Sequence, residues 1–290
     1  MSKDHQADDR QSGISRRNFV RVGGAALAGG AALGGAPIHA GAATPPPVGP
    51  PRLFPYQPRQ EAKIQAYRTL GRTGFQVSDV GMGSVPLRET AVVRYAYDKG
   101  INYFDTAEGY GNGAAERAIG EAMQHMERDK IFIATKARVG EGDDTEAVIR
   151  KVRQCLDRLN TDYVDSFSMH GPSSFETLKH PGFHAAMDQM KAEGRVRFRG
   201  LSYHGPGSAA QPSMGDLLSA AAEDGRFDMM LLVYNFMNHE EGDRIIAACK
   251  ANNVGTTAMK TSPGSLEYEP VDPANLSEQQ EQYIERFTAR

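Results

Sequence analysis

The sequence predicts an α/β chain wound as a (β/α)8 TIM-type barrel that lacks its eighth strand. Three observations point there. Seven short apolar runs recur between residues 80 and 261. Amphipathic stretches with helical spacing separate them, and strands alternating with helices imply parallel βαβ units. Ionisable groups close several of the runs on one side, the face where barrel chemistry sits. An open dinucleotide-binding sheet would need Gly-x-Gly-x-x-Gly after its first strand. Gly81-Met82-Gly83 runs on into Ser84-Val85-Pro86, and Gly109-Tyr110-Gly111-Asn112-Gly113 also lacks the pattern.

Three segments are expected: residues 1–43, 44–60 and 61–290. Ser15-Arg16-Arg17-Asn18-Phe19-Val20 precedes a weakly apolar Ala/Gly-rich run, and Ala40-Gly41-Ala42 follows as a small-residue cleavage point. That order is an export signal, and the paired arginines resemble a twin-arginine (Tat) signal. It implies the Tat translocation machinery as a partner and a periplasmic or otherwise extracytoplasmic destination. Gly-rich text broken by Pro37 is too short in apolar length to span a bilayer, and no later run is long enough. Residues 44–60, TPPPVGPPRLFPYQPRQ, read as an extended polyproline-like linker.

The barrel pattern starts with 67–70 and 75–77, which flank Gly71-Arg72-Thr73-Gly74 as a hairpin. The runs at 80–84, 101–106, 131–136, 164–170, 196–204, 227–235 and 254–261 are the expected strands. Helical spacing marks 116–126, 145–159, 183–194 and 243–253. Gly100 and Gly194 stand where helix C-caps belong. Residues 171–182 and 205–215 read as long loops. After Lys260-Thr261 a Pro/Gly-rich stretch leads to a short helix starting near Ser277, with Tyr283, Ile284 and Phe287 on one face, and no eighth strand is found.

Composition narrows the function. The chain has 290 residues, 40% of them hydrophobic, enough for one sizeable core. A net charge of −3 with interspersed signs argues against a nucleic-acid or anionic-membrane surface. The two cysteines, Cys155 and Cys249, have neither CxxC nor Cys/His spacing, so no metal site is expected from them.

The strand ends carry the chemistry. Asp105 closes one run, with Tyr110 in the loop beyond. Lys136 closes the next, His170 the next, and Ser202-Tyr203-His204 the one after. Buried strand ends tolerate such groups when they pair with each other or with a ligand. Taken singly, each has a plain structural reading: Tyr110 a packing lid, Lys136 a solvated cation, Asp105 a turn cap, His170 a satisfied core histidine.

Residues 67–261 resemble the aldo-keto reductases. The likeness rests on YRTLGRTGFQVSDVGMGS, INYFDTAEGYG, ATK, LDRLNTDYVD leading into SFSMHG, and GLSYHG. It implies a barrel of the aldo-keto reductase kind, NADPH (or NADP) as cofactor and a small-molecule carbonyl substrate. Carried over, Asp105, Tyr110, Lys136 and His170 match the catalytic tetrad, and Gly83, Ser84, Asp105 and Ser202 match cofactor positions. A phenol ionises near 10 in isolation, and a buried ammonium favours its anion. Lys136 would supply that charge, Asp105 would hold Lys136, His170 would orient the carbonyl, and Tyr110 would protonate it. The family's Ser-Asn after the fifth strand reads Ser202-Tyr203 here, and Leu231 stands where a glutamine is common. These departures leave open a non-catalytic relative that binds cofactor or sugar. A metal-dependent hydrolase using His170, His204 and a carboxylate is a third reading. His180 and His184 stand four apart, but Pro181 and Gly182 between them count against a helical ligand pair.

Overall fold

The computed structural model describes residues 63–261 and, further on, 276–278, 281, 282, 284 and 285. The expected export signal and proline-rich linker, and Tyr283 and Phe287, lie outside the described residues. The first described element is an antiparallel hairpin, β1 (Tyr67–Thr69) and β2 (Gln76–Ser78), with Arg68 opposite Val77. Seven parallel strands follow in one sheet, paired in the order of the chain: β3 (Met82–Gly83), β4 (Tyr103–Asp105), β5 (Phe132–Ala137), β6 (Val164–His170), β7 (Val196–Tyr203), β8 (Met229–Val233) and β9 (Gly255–Met259). Every run expected from the sequence overlaps one of them, with β5 running one residue past its run, to Ala137.

Helices fill the crossovers: α1 (Thr90–Asp98), α2 (Ala114–Met123), α3 (Thr145–Leu159), α4 (Phe175–Leu178), α5 (Pro181–Ala192), α6 (Met214–Asp224) and α7 (His239–Ala251). For α3 the expected span and the observed one coincide. Asp144 fixes its start by accepting the Ala147 N–H at 2.8 Å, and Asn160, at φ 47°, ends it in the left-handed region. Helix α6 starts inside the segment read as a loop. Ser213 caps it by accepting the Asp216 N–H, and Leu217, Leu218, Ala221 and Ala222 bury one face. The run 227–235 yields a shorter strand. Asn235 turns the chain out of the sheet: its side chain accepts the Met237 N–H and donates to the Lys260 carbonyl, both at 2.9 Å.

Two apolar layers follow from the two faces of the strands. Outward residues such as Phe104, Ile133, Phe167, Leu201 and Met230 pack against Ile119, Ile149, Met187, Leu217 and Ile245 of the helices. Inward residues Tyr103, Phe132, Ala134 and Met229 fill the lower barrel with Leu70 and Val77 of the hairpin. Phe132 sits between the rings of Tyr103 and Phe198, at 5.5 and 6.1 Å, with Phe75 edge-on at 5.5 Å. Burying one such ring contributes about 2 kcal/mol. Burial on both faces explains why the strands read as near-continuous apolar runs rather than alternating ones.

The hairpin closes the bottom and leans on the far end of the sheet. A Cβ at Gly71 would lie 2.2 Å from the Gly255 nitrogen, so only glycine lets the two backbones approach. Arg72 donates to the carbonyls of Gly225, Asn252 and Asn253. Among the described residues no strand pairs with the outer edges of β3 and β9. A cleft of about 990 Å³ opens between them and reaches Gly83, Asp105, Leu231 and Thr257. No described helix is long and apolar enough to cross a membrane.

Candidate active site

Strand register gathers the ionisable groups on the inner wall. Asp105 lies opposite Ala134, Lys136 opposite Ser168, and His170 opposite Ser202, so all three side chains face the barrel lumen in rising steps. Lys136 is 1% exposed. Its ammonium donates to Asp105 Oδ1 at 2.6 Å and to the Thr106 carbonyl at 2.8 Å. The same Nζ stands 5.0 Å from the centre of the Tyr110 ring. Two of its three donors are spent on β4 and the segment after it.

Tyr110 reaches this place on a tight loop. Gly111, Asn112 and Gly113 carry φ values of 58°, 55° and 76°, in the left-handed region that Gly and Asn enter with least strain. The loop then enters α2, whose Ala115 N–H binds the Tyr110 carbonyl at 3.3 Å. The His170 ring meets Tyr110 edge-on, with centroids 6.3 Å apart and planes at 85°. His204, just past β7, lies 6.5 Å from His170. The four residues expected from the DTAEGY motif and the next two strand ends therefore stand together at one rim.

Burial raises the Asp105 carboxyl above its ordinary range, and the Lys136 ammonium opposes that rise. Burial also pulls His170 down to about 4, helped by the charges of Lys136 and Arg138. His204 is lowered by burial and by Lys260, Lys136 and Arg138. Both imidazoles are thus neutral near pH 7. An ordinary imidazole binds its proton near 6.5, whereas folded His170 does so near 4. In that window the unfolded chain takes the proton and the folded chain does not. Its contribution to stability is intact above pH 6.5 and lost as pH falls toward 4. NMR titration of the His170 ring should give a midpoint near 4, and a midpoint at the ordinary value would mean a wetter rim.

The expected cofactor positions divide. Ser202 is fully buried and faces the lumen level with His170, and its hydroxyl has no partner among the described residues. Ser84 is fully buried too, but its hydroxyl donates to the Asp105 carbonyl at 2.8 Å and braces β4. Gly83 lies opposite Asp105 beside the cleft, with open space where a Cβ would be. Tyr203 does not face the lumen: it packs in the sheet–helix layer, and its hydroxyl donates to the Pro212 carbonyl at 2.9 Å. Leu231 does face inward, opposite Ser202. His180 caps α5 through Nδ1, which accepts the Phe183 N–H. His184 sits inside that helix with Nε2 on the Leu178 carbonyl and Nδ1 on Arg199.

Sequence reading missed Glu116. This fully buried carboxylate accepts the Thr135 hydroxyl at 2.6 Å and Arg158 Nε at 2.5 Å. It ties the helix after the Tyr110 loop to the strand that carries Lys136. The signal was an acid on the apolar face of α2, in line with Ile119 and Met123.

In class, then, the molecule is a (β/α) barrel with a phenol, an ammonium, a carboxylate and an imidazole at the C-terminal rim. The sequence model described as the aldo/keto reductase family matches residues 78–285, and the chain belongs to that family. It is 34% identical over 149 residues to the uncharacterized oxidoreductase YqkF of Bacillus subtilis (strain 168), covering 47% of this chain and 48% of that protein. It is 35% identical over 152 residues to L-galactose dehydrogenase of Arabidopsis thaliana, covering 47% of each. The chain thus spans about half the length of these curated relatives. Among solved structures, aldo-keto reductase AKR11C1 of Bacillus halodurans in its holo form shares the fold at a TM-score of 0.61 and 21% identity, covering 77% of this chain and 76% of that one. An aldo/keto reductase of Klebsiella pneumoniae, solved with NADP and acetate, shares it at 0.53 and 23%, covering 68% of each.

Proposed function

We propose that the protein reduces an aldehyde or ketone at this rim, with Tyr110 giving the proton to the carbonyl oxygen. One observation carries the reading: the Lys136 ammonium, locked between Asp105 and the Thr106 carbonyl, stands beside the Tyr110 ring. A fixed buried cation there stabilises charge left on the phenolic oxygen after proton transfer. His170, held neutral, donates an N–H to the carbonyl and aligns it with Tyr110. Ser202 offers an unpartnered buried hydroxyl where an amide could be received, and the cleft beside Asp105 and Gly83 leaves room for a flat ring. These residues suit a nicotinamide held by Ser202, Asp105 and Gly83; bound there, NADPH supplies the hydride.

Leu231 and the outward turn of Tyr203 favour a second reading, a relative that binds cofactor without turnover. One experiment separates the two. NADPH is mixed with the purified chain, then with a panel of aldehydes, and its fluorescence and consumption are followed. Turnover supports the reductase, binding without turnover supports the second reading, and failure to bind NADPH sinks both.

Export by the Tat route is proposed on Arg16 and Arg17 ahead of the Ala/Gly-rich run and the small residues Ala40-Gly41-Ala42. Changing both to lysine should leave the protein in the cytoplasmic fraction; unchanged export would refute it.

A further inference from the structure

Beyond the tetrad, the rim holds positive charge that the chemistry above does not use. Arg138 follows β5 directly, two residues past Lys136, and its charge reaches both rim imidazoles, His170 and His204. It is exposed, and no described acid pairs with its guanidinium. Its backbone, however, is held from both sides. The Arg138 N–H donates to Glu108 Oε1 at 3.0 Å, and Lys151 Nζ donates to the Arg138 carbonyl at 2.8 Å. Lys151 is itself anchored on Asp143 at 2.5 Å. Such bracing fixes the backbone from which an otherwise unengaged guanidinium reaches out.

The groups facing it are neutral or already paired. His170 and His204 are held deprotonated, in part by Arg138 itself. Lys136 is spent on Asp105. Glu108, the acid beside it, turns its carboxylate to the Arg138 backbone amide. Lys260 lies on the other side, past β9 and against the cleft. A guanidinium fork is complementary to a carboxylate in two parallel hydrogen bonds.

We infer that Arg138 is a specificity residue that receives a carboxylate on the carbonyl substrate, so the preferred substrates are aldehyde or keto acids. This rests on the reductase reading. The test is calorimetric titration of the full chain, with NADP in excess, using para-carboxybenzaldehyde and its methyl ester. The acid should bind roughly tenfold tighter, Arg138→Gln should bring the ratio toward one, and Arg138→Lys should restore part of it. Equal affinities, no binding of either compound, a ratio unchanged in Arg138→Gln, or a loss of NADP affinity instead would each overturn the inference. Turnover of both aldehydes with NADPH is measured separately. If neither is reduced the reductase reading fails, while the affinity ratio still decides the role of Arg138.

Discussion

Tyr110→Phe should lower carbonyl reduction by roughly 10²–10⁴-fold, the range a positioned general acid supplies. The change removes one oxygen and keeps the ring that packs between Lys136 and His170. Fold and NADPH affinity should therefore stay close to those of the parent, and the loss should fall on kcat more than on KM. The measurement is steady-state reduction of a good aldehyde beside a cofactor titration. A variant that keeps parent turnover would remove Tyr110 from the chemistry, and with it the meaning of the Lys136 contact.

Lys136→Met should cost about 3–5 kcal/mol of stability as well as activity. Methionine fills most of the lysine volume but leaves the Asp105 carboxyl, 15% exposed, without its ion-pair partner. It also leaves the Thr106 carbonyl without its donor. The deserted carboxylate must be buried charged or take up a proton, so the deficit should shrink as pH falls and the acid neutralises. The double variant Lys136→Met with Asp105→Asn should regain part of the stability and none of the activity. Chemical denaturation at neutral and acid pH reads these outcomes. A Lys136→Met protein as stable as the parent would mean that the pair is far wetter than its geometry implies.

Much of this was legible in the chain. Residues 131–136 announce their strand because burial on both faces makes a run of Ile and Phe, 164–170 because Phe167 and Met169 alternate with Ser166, Ser168 and His170, and 145–159 announces its helix through Val148, Val152 and Leu156 with Asp144 ahead of them. The tetrad could be read because each member closes a strand or follows one. Other features depend on three-dimensional register. Tyr203 sits one residue beyond Ser202, and a period of two sends it to the helix layer rather than the lumen. That Ser84 is committed to the Asp105 carbonyl depends on β3 and β4 lying side by side. Helix α6 was overlooked because the Gly/Ser/Pro text before it hides its start, although Ser213 and the pair Leu217–Leu218 mark it. Arg138 draws no notice in one dimension, since the clamps from Glu108 and Lys151 that hold its backbone appear only in the fold.

The N-terminal hairpin has a mechanical consequence. Each strand of the large sheet pairs with its neighbour in the chain, so the described sheet is a strip whose two ends need not meet for the rest to form. The hairpin works as a clasp on that strip. Arg72 grips Asn252 across 180 positions of sequence, and Tyr103 meets Thr257 across 154. Contacts of such separation are late to form, because the loop entropy they close is large. The strip can therefore zip up locally and be fastened last, and the clasp sets how tightly the two sides of the cleft are held together.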